Sequence, residues 1–185
     1  MTKHSNINTF LAIGIIIVAI ISRFLPHPPN FTAIGAIGLF GAAHFQKKWM
    51  AFLLPVIALW MSDLVLNNFV YTQYYDSFQF FGDPYVYAAF ILIIGLGGFL
   101  LKKINVKNIL VASVIVSVVF FLVTNFGFWR QGLQFPMTAQ GLIASYIAAI
   151  PFFWSTLAGN IFYSLVLFKV YEWVKAEQPA MTTSN

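Results

Sequence analysis

The sequence predicts an all-α integral membrane protein, a six-transmembrane-helix bundle with both termini cytoplasmic and a short interfacial helix before the last span. Three observations carry this. Apolar stretches of near-spanning length recur along the 185 residues. Hydrophobic residues make up 60% and charged residues only 8%, with a mean hydropathy of +0.82, too little polar sequence to coat a soluble globule. Lysines, finally, occupy only alternate gaps between the apolar stretches. The chain reads as a single polytopic membrane domain over 1–185.

Crossing about 30 Å of hydrocarbon takes about 17 to 25 helical residues. The first candidate, 9–25, follows Lys3 like a signal peptide, yet it lacks a small-x-small cleavage site and runs straight into Arg23-Phe-Leu-Pro-His-Pro-Pro, so it is kept as a span. In the turn that follows, Pro26, Pro28 and Pro29 fix φ and discourage helix, giving a stiff, extended segment that presents His27 and Asn30. The second candidate, 31–46, is short and crowded with small residues from Ala33 to Ala43, which allows close approach to its neighbours. The third covers 49–67, and the loop up to Pro84 interleaves Tyr71, Tyr74, Tyr75, Phe78, Phe80 and Phe81 with Gln73, Asp76, Gln79 and Asp83. Such a loop suits either a cap over a cavity or an interfacial aromatic belt. Spans four and five cover 85–101 and 108–126, and the loop from Gly127 to Pro136 carries Trp129 and Arg130. Residues 138–150 are apolar but too few to cross, and Pro151 separates them from the last span, 153–174; an interfacial helix is expected there.

Lys3, the pair Lys47 and Lys48, the trio Lys102, Lys103 and Lys107, and finally Lys169 and Lys175 mark one side. The other side carries Arg23 and Arg130 with Asp63, Asp76 and Asp83. Basic loops face the cytoplasm, which orients the chain as a multi-pass protein of the bacterial inner (cytoplasmic) membrane. The net charge of +5 is therefore an orienting device. Membrane lipid is an expected partner and nucleic acid is not.

Counting at 1.5 Å per residue puts Arg23 and Asp63 both roughly 21 Å from the cytoplasmic edge, with Asn125 near 25 Å and Asn160 near 20 Å. Charged groups at such depth avoid lipid and face the bundle interior or a wet cavity. Two readings stay open: a structural Arg23–Asp63 ion pair, or a ligand site. Asn125 and Asn160 fit interhelical glue as well. On the site reading, Arg23 or Arg130 receives an anionic group and Asp63 orients Arg23 or accepts a donor. Tyr74, Tyr75 and Trp129 stack on the ligand, with His27 and Asn30 beside it. Catalytic motifs are missing: the chain has no cysteine, no HExxH, no GxxxxGK[ST] and no Ser or Thr placed with a His and a carboxylate. No enzymatic activity, metal or cofactor is expected.

Six short helices in about 185 residues with the polar layer outside resemble the substrate-binding S components of energy-coupling-factor vitamin transporters. The stretches Arg23-Phe-Leu-Pro-His-Pro-Pro-Asn-Phe-Thr32, Val123-Thr-Asn-Phe-Gly127 and Ala148-Ala-Ile-Pro-Phe-Phe153 also resemble a bacterial family of uncharacterised S-component-like membrane proteins, whose nearest characterised relatives are the solitary cobalamin S components. The resemblance implies a ligand held at the outer face by the later helices and outer loops, with the coupling membrane subunit and the ATPases supplied by other chains. Two departures are visible. Ala12 is followed at i+4 by Ile16 where S components commonly carry a second alanine, and the cysteine that solitary cobalamin binders place near cobalt is absent. The expected function is a membrane solute-uptake component binding a small, vitamin-like organic molecule at its extracytoplasmic face. Alternatives are a structural or assembly protein of the envelope, similar in fold to the membrane subunit of the rod-shape complex, and an intramembrane enzyme.

Overall fold

A computed structural model describes residues 3–45 and 47–182. Side chains are described from Phe10 to Glu177, Gln46 excepted. Six α-helices form it: α1 (Lys3–Ile21), α2 (Ile34–His44), α3 (Lys48–Val65), α4 (Pro84–Leu100), α5 (Val106–Arg130) and α6 (Ala139–Thr182). Among the described residues there is no strand. The extreme termini, placed in the cytoplasm by the sequence, lie outside the described residues.

Three helical segments are long and apolar enough to cross a bilayer alone, namely Lys48–Val70, Val106–Arg130 and Ala139–Glu177, which makes the chain a membrane-associated protein. Shorter apolar segments, Phe10–Phe24, Ile34–His44 and Pro84–Leu100, make up the rest. Among these, α2 is the shortest, 11 residues or about 16 Å. It is buried from Ile34 to Gly41 because all five other helices touch it. A helix wrapped by protein needs no lipid-spanning length, and apolar residues on every side suit it. Its small residues serve that packing: a Cβ on Gly41 would meet the Pro55 ring at 2.6 Å, and one on Gly38 would meet Ile93 at 2.9 Å.

Helix directions follow from register. Gly159 lies against Thr32, while the His44 ring packs against that of Tyr171, so α2 and α6 run parallel. Contacts of Gly38 with Ile93 and of Gly97 with Ala42 make α4 parallel to both. Tyr146 Oη donates to Leu122 O, and Asn160 Nδ2 donates to Ser117 Oγ, so α5 and α6 are antiparallel along their length. The lysines with described side chains gather at one end of this bundle; Arg23, Asp63, Asp83 and Arg130 gather at the other, here called the outer end.

One expectation is corrected. Residues 139–150 are the outer part of α6 itself, a single helix that continues through Pro151, and no separate interfacial helix precedes the last span. Proline in a helix interior forfeits one backbone hydrogen bond and costs about 3 kcal/mol. Packing against α5 offsets that cost here: Ser145 Oγ donates to Asn125 O, Tyr146 Oη to Leu122 O, and Phe121 contacts both Tyr146 and Phe153.

Candidate functional site

A covered ion pair joins the turn that follows α1 to α3. The Arg23 guanidinium donates to Asp63 Oδ1 at 2.9 Å and also to Ser62 Oγ, while Ser62 donates onward to Leu59 O. Both charged side chains are about nine-tenths covered, at 11% and 10% exposure. The space beside Arg23 and Ser62 is about 10 Å3, no more than one water fills. Gly82, from the loop before α4, closes the other side, where a Cβ would come 2.6 Å from Asp63 Oδ2. Arg23 and Asp63 are thus closed on each other.

The 66–83 loop is held down over this pair. Asn68 is the clamp: its Nδ2 donates to Leu64 O and Gln79 O, and its Oδ1 accepts from Gln79 N. Trp60 Nε1 donates to Phe80 O at 2.9 Å, and the Trp60 and Phe80 rings pack edge to face. Burial pushes the Tyr75 phenol above its ordinary value, and the nearby Asp63 and Asp83 carboxylates push in the same direction. Tyr74 is exposed.

Asn160 belongs to a second interhelical network. It is buried, Nδ2 donates to Ser117 Oγ at 2.8 Å, and its amide packs onto the bare Cα of Gly35. Ser113 and Ser117 complete the seam with bonds to Ile109 O and Ser113 O. This amide bonds α6 to α5 and packs both against α2.

Open space lies elsewhere at the outer end. A cleft of about 480 Å3 is walled by Pro29 and Asn30 from the proline-rich turn and by Thr124, Asn125 and Phe128 from the last turns of α5. Gln134 and Phe135 from the α5–α6 loop, Ser145, Ala148, Ala149 and Phe152 from α6, and the α4 N-cap residue Asp83 complete it. It deepens into a hollow of about 180 Å3 that shares Asn30, Thr124, Asn125, Ala149 and Phe152 and reaches Phe120, Phe153 and Thr156. The size suits a small organic molecule. Ala148 and Ala149 make the room: larger side chains at these two positions of α6 would fill it.

Local structure fixes the rim. Asn30 is the one described non-glycine residue with positive φ, at 63°, a left-handed conformation that asparagine tolerates better than most residues. Gly132, with φ 68°, turns the chain out of α5, its N–H bonding Trp129 O. Trp129 Nε1 donates to Pro136 O, tying the α5–α6 loop back onto α5. Asp83 caps α4 by accepting from Tyr85 N and Val86 N through Oδ1, and its Oδ2 accepts from Gln131 Nε2.

Of the residues singled out from the sequence, the fold brings Asn30 and Asn125 together in the cleft. Arg23 and Asp63 pair between the turn after α1 and α3, Asn160 lies in the α5–α6 seam, and Trp129 braces the loop. His27 is half-exposed on the turn, its ring bonded to Pro28 O, and Arg130 is exposed at the end of α5. Thr124, Gln134, Ser145, Phe128, Phe135 and Phe152 were not singled out by sequence reasoning. One signal was present: Thr124 and Asn125 sit within the Val123–Gly127 stretch, and Phe152 within Ala148–Phe153, two of the three stretches that carry the family resemblance.

Comparison with known proteins gives one match. Residues 3–181 fit the model of a family described as a family of unknown function, DUF6580. No curated protein and no solved structure matches the chain.

Proposed function

We propose that this chain, which belongs to the DUF6580 family of unknown function, is a membrane solute-uptake component that captures a small organic molecule in the outer cleft. The observation that carries the reading is the cleft itself: it opens at the lysine-free end, is mostly apolar, and is rimmed by a few amides and hydroxyls, Thr124, Asn125 and Ser145 on helices and Asn30 and Gln134 on the adjoining turn and loop. Its position agrees with the resemblance to S components, which implies a ligand held by the outer ends of the later helices. On this reading the six helices each cross the bacterial inner membrane and the lysine-bearing ends lie in the cytoplasm. Energy comes from a coupling membrane subunit and ATPases on other chains, and the protein itself catalyses no reaction.

The test is mass spectrometry of small molecules released from gently purified protein, alongside the variant Ala149→Phe, which fills the cleft. Wild type should release a molecule that the variant does not retain, with both equally folded. If neither form retains a molecule and no ATPase copurifies, the reading falls. A second reading, a structural protein of the envelope, draws on the closed Arg23–Asp63 and Asn160–Ser117 contacts, which tie helices together without presenting anything to a ligand. That reading expects wild type and Ala149→Phe to be alike in every assay.

A further inference from the structure

We infer that the cleft is built for an organic cation, a ring-bearing molecule with a protonated amine, and against an organic anion; this rests on the reading of the cleft as a solute site. The argument begins with the hydrogen-bond inventory of its walls. Thr124 Oγ1 is 2.8 Å from Phe120 O, and since a carbonyl only accepts, the hydroxyl proton is committed there. Asn125 Nδ2 is likewise 2.8 Å from Phe121 O, which fixes the orientation of the amide and leaves Oδ1 as its free end. Ser145 Oγ donates to Asn125 O. Thr124 and Ser145 thus spend their protons on helix carbonyls and keep acceptor lone pairs for an occupant, while Asn125 keeps Oδ1 and one N–H.

Charge agrees with that inventory. No lysine, arginine or histidine is among the described residues lining the cleft, and Asp83 is the one charged side chain there. The N-terminus of α4 would otherwise attract an anion. Asp83 Oδ1 already occupies its N–H groups, so what remains is a carboxylate. A carboxylate offers about four lone-pair sites, of which Tyr85, Val86 and Gln131 take three. Phe128, Phe135 and Phe152 supply ring faces, which attract cations and pack on flat rings. An anion brought here would face Asp83 with no counter-charge, met by the neutral amide N–H groups of Asn30, Asn125 and Gln134 alone among the lining side chains.

The experiment is calorimetric titration of the detergent-purified full chain with two probes that share an indole ring, tryptamine and indole-3-propionate. Tryptamine should bind at least about tenfold more tightly, a difference of about 1.4 kcal/mol. Asp83→Asn retains a good N-cap residue and should lower tryptamine affinity about tenfold without affecting the weak binding of the carboxylate; Asp76→Asn, in the same loop but outside the cleft, should change neither. Equal or tighter binding of the carboxylate, or an Asp83→Asn protein that binds tryptamine normally, overturns the inference. If a copurified molecule is present and the carboxylate displaces it while tryptamine does not, the charge assignment fails and the cleft stands as a solute site. Absence of any copurified molecule together with absence of binding by both probes defeats both.

Discussion

At the scale of single residues, the outer end separates into groups that hold helices and groups that face open space. Arg23 and Asp63 belong to the first, because breaking a covered ion pair strands one charge where no solvent replaces its partner. Asp63→Asn or Arg23→Gln should therefore destabilise the protein by about 3 kcal/mol, read as a clear drop in melting temperature in detergent, and ligand retention per folded molecule should not change. A normal melting temperature with lost retention would make the pair a binding element instead. Asn30 belongs to the second group. Asn30→Gly keeps the left-handed turn and removes the amide, so it should weaken retention with little loss of stability, whereas Asn30→Ala adds roughly 1 kcal/mol or more of backbone strain. Thermal melts of the two variants side by side distinguish the turn from the side chain. That Arg23 and Asp63 lie level with each other was legible from residue counting. Azimuth was not: apolar residues surround nearly every helix here, so no polar stripe tells which face meets which neighbour. Residues at similar depth thus lie in separate contacts.

At the scale of elements, the six apolar stretches were legible as helices because apolar runs of this length have few alternatives in a membrane. Two features were not. The brevity of α2 follows from its enclosure by five helices, a tertiary fact, although its glycines at 35, 38 and 41 hinted at close packing. The continuity of α6 through Pro151 was hidden because a proline after a largely apolar stretch of thirteen residues reads as a break, whereas α5 supplies partners to both sides of it. Those partners give a prediction: Ser145→Leu together with Tyr146→Phe removes both bonds from the outer part of α6 and should increase amide hydrogen exchange over 139–150 without comparable change over 160–170. Uniform exchange along α6 would mean that Pro151 does not divide it into parts of separate stability. The outer loop after α3 is similarly secured, and Asn68→Ala should free it and raise protease sensitivity between Tyr71 and Phe81.

For the whole molecule, the alternating lysines and the alternating helix directions agree, and the absence of cysteine makes the topology easy to test. Single substitutions Asp76→Cys and Lys103→Cys should label with a membrane-impermeant maleimide from opposite sides: the first in intact cells, the second only after permeabilisation. Labelling of both in intact cells would rule out the orientation. That lysines and aspartates part to opposite ends was legible from the sequence; that the outer cleft lies between α5, α6 and the proline-rich turn was not, because it depends on how far apart two antiparallel helices stand where Ala148 and Ala149 face Thr124 and Asn125. The unbroken α6 has a mechanical meaning as well. Its 44 residues form a rod of about 66 Å whose outer part is a wall of the cleft and whose inner part, with Lys169, Glu172 and Trp173, stands at the opposite end of the bundle. A tilt of about 5° around its middle displaces each tip by roughly 3 Å, so α6 is a lever that links the cleft wall to the lysine-bearing end of the bundle.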